Sequence, residues 1–365
     1  MLPQDFVLKE YNQLADKGEY SAQAPSNIAL VKYWGKKEEQ IPCNPSISFT
    51  LKNALTRTKL SFEKNKSKES EFDIKVYFKG QREKSFEPKI INFFQRIREY
   101  VGFLSDYRFE IETENSFPHS SGIASSASAM ASIAVCIMEM EKSINPKITQ
   151  GYFHKKASFL ARLGSGSACR SITDQVVLWG NVPNYRDSSN YYGIGVSSIH
   201  PIFKDYQDAI LLVDNGKKTV SSSQGHQLMH DHPYANQRFY EATENASRML
   251  NIIKEGNLDD FIKWVEKEAL SLHAMMMTSS PYFILMQPNT LEIIQKVWSF
   301  RNDTQIPICF TLDAGANVHL LYPKKYAQQS KDFIEQKLIS YCQNQEVIYD
   351  EVGSGANVIK SFVPD

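Results

Sequence analysis

Two stretches near the start of the chain alternate apolar and polar residues with a period of two. "IALVKYW" (28–34) and "SISFTLKNALTRTKLSF" (46–62) are also rich in β-branched and aromatic side chains, so both predict strands. The charged run "SFEKNKSKESEFDIKVYFKGQ" (61–81) predicts a hairpin region turning at Gly80. Spacing then becomes helical in "EPKIINFFQRIREYVGFL" (87–104), alternates again in "DYRFEIETEN" (106–115), and is helical from Ala124 to Met140. Residues 152–172 predict a helix broken by glycines, and 179–195, with Gly, Pro, Asn and Ser, a loop. "DAILLVDN" (208–215) predicts a buried strand, 235–277 mostly helix, and "PICFTLDAGANVHLLYP" (307–323) a strand, a glycine turn and a strand. Strands and helices are interspersed but many strands are hairpin-linked, which predicts an α+β fold. The weakest join falls near residue 195, giving an N-terminal domain 1–195 and a C-terminal domain 196–365.

Composition narrows the function classes. The chain has 365 residues with 41 Lys plus Arg against 41 Asp plus Glu, a net charge of zero. Nucleic-acid and membrane-surface proteins usually carry a basic excess, so neither partner is expected. The five cysteines are far apart and form no C-x-x-C, which argues against a disulfide framework or zinc site and for a reducing compartment. The N-terminus lacks the apolar core of a signal peptide, and no apolar run approaches spanning length. A cytoplasmic protein is expected.

Three stretches carry candidate chemistry. "NSFPHSSGIASSASAMASIAV" (115–135) puts small and hydroxyl residues ahead of an apolar helical run. The first N–H groups of a helix lack partners and attract phosphate. A backbone that must approach phosphate oxygens needs little Cβ bulk, and Ser120, Ser121, Gly122, Ala124, Ser125 and Ser126 meet that need. The alternative is a serine N-cap on an ordinary helix. No G-K-[ST] follows, so this is not a Walker A loop. "GSGSACRS" (164–171) is a second small-residue turn, ending in Arg170, whose fork can grip a carboxylate or phosphate; the alternative is a glycine cap with a surface arginine. "TLDAGAN" (311–317) sets Asp313 at a strand end before a glycine turn, as a catalytic carboxylate or a turn-capping one.

Taken together, "APSNIALVKYWGK" (24–36), "FPHSSGIASSAS" (117–128), "GSGSACRS" (164–171), "KKTVSSSQG" (217–225) and "TLDAGAN" (311–317) resemble, in order, the motifs of diphosphomevalonate decarboxylases. That family belongs to the superfamily of galactokinase, homoserine kinase, mevalonate kinase and phosphomevalonate kinase. The resemblance implies a two-domain fold, with a left-handed βαβ unit in the N-terminal domain, a ferredoxin-like C-terminal domain and the active site between them. It implies ATP-dependent decarboxylation of mevalonate 5-diphosphate to isopentenyl diphosphate, with Mg²⁺, in the mevalonate pathway of isoprenoid biosynthesis, and a homodimer.

Residue by residue, the resemblance makes Asp313 the carboxylate at the 3-hydroxyl, Arg170 the group that orients the substrate carboxylate, and Lys32 the cation beside the reacting groups. Tyr33, Trp34, Gly35, Lys36 and Lys75 would hold the substrate diphosphate, although a Trp after a strand is usually packing. Ser165, Gly166, Ser167, Ala168 and Cys169 would wrap the substrate up to Arg170, and Ser222 and Ser223 would touch it from the other domain. Asn115, Ser120, Ser121, Gly122, Ala124, Ser125 and Ser126 would bind ATP, with Ser125 on Mg²⁺.

Four positions depart from the family pattern. Ser116 replaces Asn and so weakens a nucleotide contact. Ala129 replaces Gly. Ala316 replaces Pro, which predicts a looser turn at Asp313. Lys75 replaces a diphosphate-binding Arg, which leaves a monophosphate substrate open. Phosphomevalonate decarboxylase and mevalonate 3-kinase are therefore alternatives. A silent ATP-binding regulator would be expected to lack Asp313 or Lys32, and both are present.

Two features are set aside. His226, His230 and His232 in "HQLMHDH" read as a solvated polar segment rather than a metal site, because no further ligand completes one. Met275, Met276 and Met277 read as core filler.

Overall fold

The computed structural model describes residues 1–365 except 9–11, 66–71, 119–122, 124, 215, 217–221, 361 and 363–365; the side chains of residues 222 and 223 are also not described. The strands are β1 (Lys17–Val31), β2 (Ser46–Lys64), β3 (Asp73–Phe78), β4 (Gln81–Arg82), β5 (Tyr107–Asn115), β6 (Val176–Trp179), β7 (Gly193–Gly195), β8 (Gln207–Leu211), β9 (Cys309–Thr311), β10 (Val318–Tyr322), β11 (Val347–Glu351) and β12 (Asn357–Val358). The α-helices are α1 (Glu87–Ile97), α2 (Ser125–Ile144), α3 (Gln150–Gly164), α4 (Ser222–Gln227), α5 (Ala235–Glu255), α6 (Leu258–Met277), α7 (Pro288–Thr304) and α8 (Ala327–Phe333).

Strand β1 starts well before the alternating run and stops before its end. Its first half buries the small residues Ser21, Ala22, Ala24 and Ser26, which give no apolar–polar alternation to read. Pro25 stands where the register shifts between Pro25 and Asn27, a place that tolerates proline in a sheet. The strand ends at Val31, so Lys32, Tyr33 and Trp34, which the alternation assigns to it, leave the sheet.

Eight strands form the N-terminal sheet, in the order β12-β1-β2-β5-β3-β4, with β6 pairing β2 and β7 pairing β6. Strands β3 and β5 run parallel, with α1 in the connection between them. The sheet's covered face meets α1, α2 and α3 in a core that joins Ala22, Leu60, Ile74 and Ile111 to Phe93, Ile133 and Leu160. The helix predicted over 87–104 ends at Ile97, and a 3₁₀ turn covers Gly102–Asp106.

The second sheet, β11-β8-β10-β9, is antiparallel throughout. Helices α4 to α7 lie between β8 and β9, and α8 between β10 and β11. The resulting β-α-β-β-α-β order, with strands arranged 4-1-3-2, is ferredoxin-like. The chain passes from one sheet to the other between Gly195 and Gln207, and returns when β12 pairs Val358 with Ala22. Asp350 of the second sheet accepts hydrogen bonds from the N–H groups of Lys52, Asn53 and Ala54 of β2, at 2.7–2.9 Å. The two sheets are thereby tied at fixed positions. Among the described residues no helix is long and apolar enough to cross a membrane, and all five cysteines are free.

Candidate active site

The end of β1 delivers Lys32 to the seam between the two sheets. Its ammonium lies 3.0 Å from Oδ1 of Asp313, which follows β9. Lys32 is almost wholly buried, and burial lowers its pKa although Asp313 pulls the other way. Its backbone N–H donates to Glu268 of α6 at 2.9 Å. Glu268 is itself buried and accepts from both terminal nitrogens of Arg238 and from Asn245. One carboxylate on α6 therefore fixes where the strand ends and where the lysine begins.

The turn carrying Asp313 is held from two further sides. The Asp313 carbonyl accepts from the N–H of Gly315 at 2.8 Å and contacts Nε2 of His273 at 3.1 Å. Burial lowers the His273 pKa to about 4, so the ring is neutral near pH 7. A carbonyl only accepts, so Nε2 carries the proton. The hydroxyl of Thr290 donates to the carbonyl of Ala316. Ala316 thus sits in a turn bonded at both ends.

Arg170 enters from the 3₁₀ turn Gly166–Ser171, which follows α3. Its Nε donates to Asn27 Oδ1 at 3.3 Å and its Nη1 to the hydroxyl of Ser46. Asn27 also donates to Ser171 and to the carbonyl of Ser167, so one β1 side chain sets both the turn and the guanidinium. Burial lowers the Arg170 pKa, with Asp313 among the groups opposing the shift. Arg170 in turn pushes on Lys32. Asp313, Lys32 and Arg170 therefore share one electrostatic neighbourhood.

Beyond Lys32 the chain turns sharply. Gly35 has φ +93°, and a Cβ there would meet the Phe239 ring at 2.7 Å. Tyr33 lies against Trp179 and His226, and its buried hydroxyl has no hydrogen-bond partner among the described residues. Lys36 reaches Gln40 at 2.9 Å and stays half-exposed. Lys89 of α1 donates to Ser126 at 2.7 Å. Its side chain is open to solvent yet closely surrounded by protein, and burial followed by the charge of Lys36 lowers its pKa. Two cations thus stand close to the first turn of α2, where Ser125 is half-buried.

Several predicted site residues lie elsewhere. Lys75 is on β3, where the register aligns it with Glu110, Ser61 and Glu19 near the start of β1, whereas Lys32 follows the far end of that strand. Its ammonium pairs with Glu110 on the exposed face. Trp34 is buried among Met229, Leu272 and Met276, a packing role. Ala168 points into the N-terminal core, and Cys169 is buried, bonded to the Gly166 carbonyl, with its thiol pushed up to about 12 by burial. Both side chains are wholly buried, whereas Ser165 and Ser167 of the same turn are half-exposed. Asn115 is buried at the end of β5 and accepts from Thr56. Ser116 accepts from the N–H of Leu55 and donates to the carbonyl of Asn53, so its hydroxyl is spent on β2. Ser120, Ser121, Gly122 and Ala124 lie outside the described residues. Ser222 and Ser223 open α4, but their side chains lie outside them too.

Glu268, His273, Arg238, Asn27 and Lys89 were not singled out in the sequence. A signal existed for two of them. Phe261, Val265, Ala269, Leu272 and Met276 form the buried stripe of α6, and Glu268 and His273 occupy that same stripe. A charged or titratable residue on a core-facing stripe marks a built interaction. The solvated reading of "HQLMHDH" also fails. His226 and His232 are buried and hydrogen-bonded, while His230 is exposed. Of the three methionines, Met276 is in the core and Met277 is exposed.

Two family models match the chain. Diphosphomevalonate decarboxylase-like N-terminal domain covers residues 24–190, and Mevalonate 5-diphosphate decarboxylase C-terminal domain covers 209–361. Diphosphomevalonate decarboxylase of Saccharomyces cerevisiae is 31% identical over 324 residues, spanning 83% of this chain and 77% of its own. The crystal structure of mevalonate diphosphate decarboxylase from Staphylococcus aureus is 29% identical with a TM-score of 0.80, over 94% of this chain and 98% of that one. MDDEF in complex with MVAPP, AMPPCP and magnesium is 25% identical with a TM-score of 0.79, over 94% of this chain and 100% of that one.

Proposed function

Because the chain belongs to the diphosphomevalonate decarboxylase family, we propose that it is the enzyme that converts mevalonate 5-diphosphate and ATP to isopentenyl diphosphate, ADP, phosphate and CO₂. The observation that carries this reading is the Lys32–Asp313 pair, set at the seam beside Arg170. It gathers one acid, one ammonium and one guanidinium, the groups that a small branched hydroxy acid needs around it.

The chemistry assigns these groups distinct tasks. The carboxylate of Asp313 orients the tertiary 3-hydroxyl and takes up its proton as the γ-phosphoryl group of ATP bonds to that oxygen and ADP leaves. Lys32 holds the acid in place and offsets negative charge between the reactants. In the second step the C3–O bond breaks with phosphate as the leaving group. The bond from C2 to the carboxylate breaks as CO₂ departs, and its electron pair becomes the new double bond. Arg170, steadied by Asn27 and Ser46, aligns the carboxylate for that cleavage. Tyr33, whose hydroxyl has no partner among the described residues, and Lys36 take the phosphate end of the substrate.

The nucleotide enters as its magnesium complex. Among the described residues no three His, Cys, Asp or Glu side chains gather into a cage for a metal. Magnesium would come in with the nucleotide's phosphates, where Ser125 would offer it a protein oxygen and Lys89 and Ser126 would stand beside the phosphates. The proposal includes a cytoplasmic enzyme, for which the free cysteines speak, and a homodimer, supported by family resemblance alone.

The test is turnover of purified protein with MgATP and, in turn, mevalonate, its 5-phosphate and its 5-diphosphate, scoring ADP and CO₂ together. Equal ADP and CO₂ with the diphosphate is expected. Preference for the monophosphate, or ADP without CO₂, would replace the reading by phosphomevalonate decarboxylase or a 3-kinase.

A further inference from the structure

His226 lies between the two ends of the site proposed above and has no assigned task. It belongs to α4, from the C-terminal half of the chain, yet its Nδ1 accepts the backbone N–H of Gly35 at 2.9 Å. That bond fixes the tautomer of the neutral ring, because Nδ1 accepts and Nε2 must carry the hydrogen. The ring is also fixed in place. Its centroid lies 4.2 Å from that of Tyr33 and 4.9 Å from that of Trp34. The residue before it, Gly225, lets it in: a Cβ there would come within 2.3 Å of the Trp34 ring.

The surroundings of this ring are cationic. Lys36 and Arg170 both act on its charge and, after burial, hold its pKa down at about 3. Among the described residues nothing accepts from Nε2. A second donor without a partner, the buried hydroxyl of Tyr33, belongs to the ring that stacks beside it. A buried donor with no acceptor is costly unless a ligand supplies one. Lys36, Arg170, the imidazole N–H and the phenol O–H thus bring two positive charges and two open donors into one neighbourhood, which is the complement of a phosphate oxygen.

We propose that His226 is a specificity residue: its Nε2–H donates to an oxygen of the substrate's phosphate end, and the Gly35 bond keeps it aimed. The inference rests on the reading that Lys36 receives that end. It also gives α4 a task, because one side chain of that segment then touches both Gly35 and the substrate and ties the two halves of the chain together around the ligand.

The experiment uses inorganic pyrophosphate as the probe, measured as an inhibitor competitive with the substrate. In His226→Gln an amide can accept from Gly35 and still donate. In His226→Met shape is roughly kept but both functions go. The inference expects the pyrophosphate Ki and the substrate KM to rise about tenfold or more in His226→Met, to stay within about threefold of the parent in His226→Gln, and the KM for ATP to change in neither. A Ki unchanged in His226→Met overturns the inference while leaving the Lys36 reading intact. Equal losses in both variants, or a parallel rise in the KM for ATP, mark a structural role and also overturn it. No competition by pyrophosphate in the parent enzyme removes the Lys36 reading, and this inference with it.

Discussion

Lys32 and Asp313 meet across the seam at 3.0 Å, with the lysine side chain 2% and the aspartate side chain 31% exposed. The asymmetry matters. The acid is the more open partner, while the ammonium is buried behind backbone anchored on Glu268. Replacing Asp313 by Asn keeps the shape and removes the charge. The expected result is a loss of roughly 10²–10⁴-fold in kcat, the range for a positioned acid–base group. Affinity for ATP should stay within about threefold, read from nucleotide binding by calorimetry. Retained kcat would remove Asp313 from the chemistry.

Arg170 makes a different kind of prediction, because its charge and its shape can be separated. Lysine at this position keeps the charge but cannot bond Asn27 and Ser46 together while also gripping a carboxylate. In Arg170→Lys, kcat should fall by roughly tenfold or more, and the KM for ATP should hold. An unchanged CO₂ yield per ADP combined with an unchanged kcat would count against alignment of the carboxylate. A drop in CO₂ relative to ADP would place the residue in the second step specifically.

The sequence foretells some of these residues and not others, for physical reasons. Asp313 and Arg170 stand out in small-residue turns, although the sequence leaves a turn-capping aspartate and a surface arginine equally open. Lys32 is legible only through its motif, since alternation assigns it to a strand that in fact ends at Val31. What ends the strand is Glu268, more than two hundred positions later in the chain. No local pattern can report a bond made that far away. The early half of β1 is hidden for another reason: Ser21, Ala22, Ala24 and Ser26 are buried without being large and apolar. Lys75 fails differently. It lies on a correctly read strand, but only the register reveals that its place on that strand is at the wrong end of the sheet. His226 reads in the sequence as part of a solvated polar segment, whereas its burial comes from Tyr33 and Trp34 of the other half of the chain.

The placement of Lys75 is testable by its lack of effect. It pairs with Glu110 at 3.5 Å in a half-open setting, and such surface pairs are worth about 0–1 kcal/mol. Lys75→Ala should leave the KM for the phosphorylated substrate within about twofold and thermal stability nearly unchanged. A tenfold rise in KM would bring Lys75 back to the site.

Glu268 supports a stability prediction with a kinetic consequence. It is a buried carboxylate serving Arg238, Asn245 and the N–H of Lys32. Glu268→Gln leaves the Arg238 guanidinium charged, buried and without a counter-ion. Breaking a buried pair from one side costs about 3–5 kcal/mol. Urea unfolding should register that loss, and kcat should fall as well, since Lys32 loses its anchor. The double variant Glu268→Gln with Arg238→Met should recover part of the stability, because no orphan charge remains. A double variant that costs the sum of the two singles would mean the groups are not coupled.

The acid side of the stability curve should carry the signature of His273. In an unfolded chain a histidine titrates near 6.5, but in the fold burial holds His273 at about 4. Between those values the unfolded chain binds the proton that the folded chain refuses. The contribution is therefore fully present above about pH 6.5 and is lost as pH falls toward 4. Its ceiling is on the order of 3 kcal/mol. Burial, Lys36 and Arg170 depress His226 further, to about 3, so it acts in the same direction and over a wider window. His273→Gln can still donate to the Asp313 carbonyl but cannot charge. Measured by urea unfolding between about pH 4.5 and 7, that variant should lose less stability on acidification than the parent, and pairing it with His226→Gln should flatten the curve further. An unchanged slope in the single variant would mean that His273 is protonated in the folded protein, and that its hydrogen bond to Asp313 survives as a charged one.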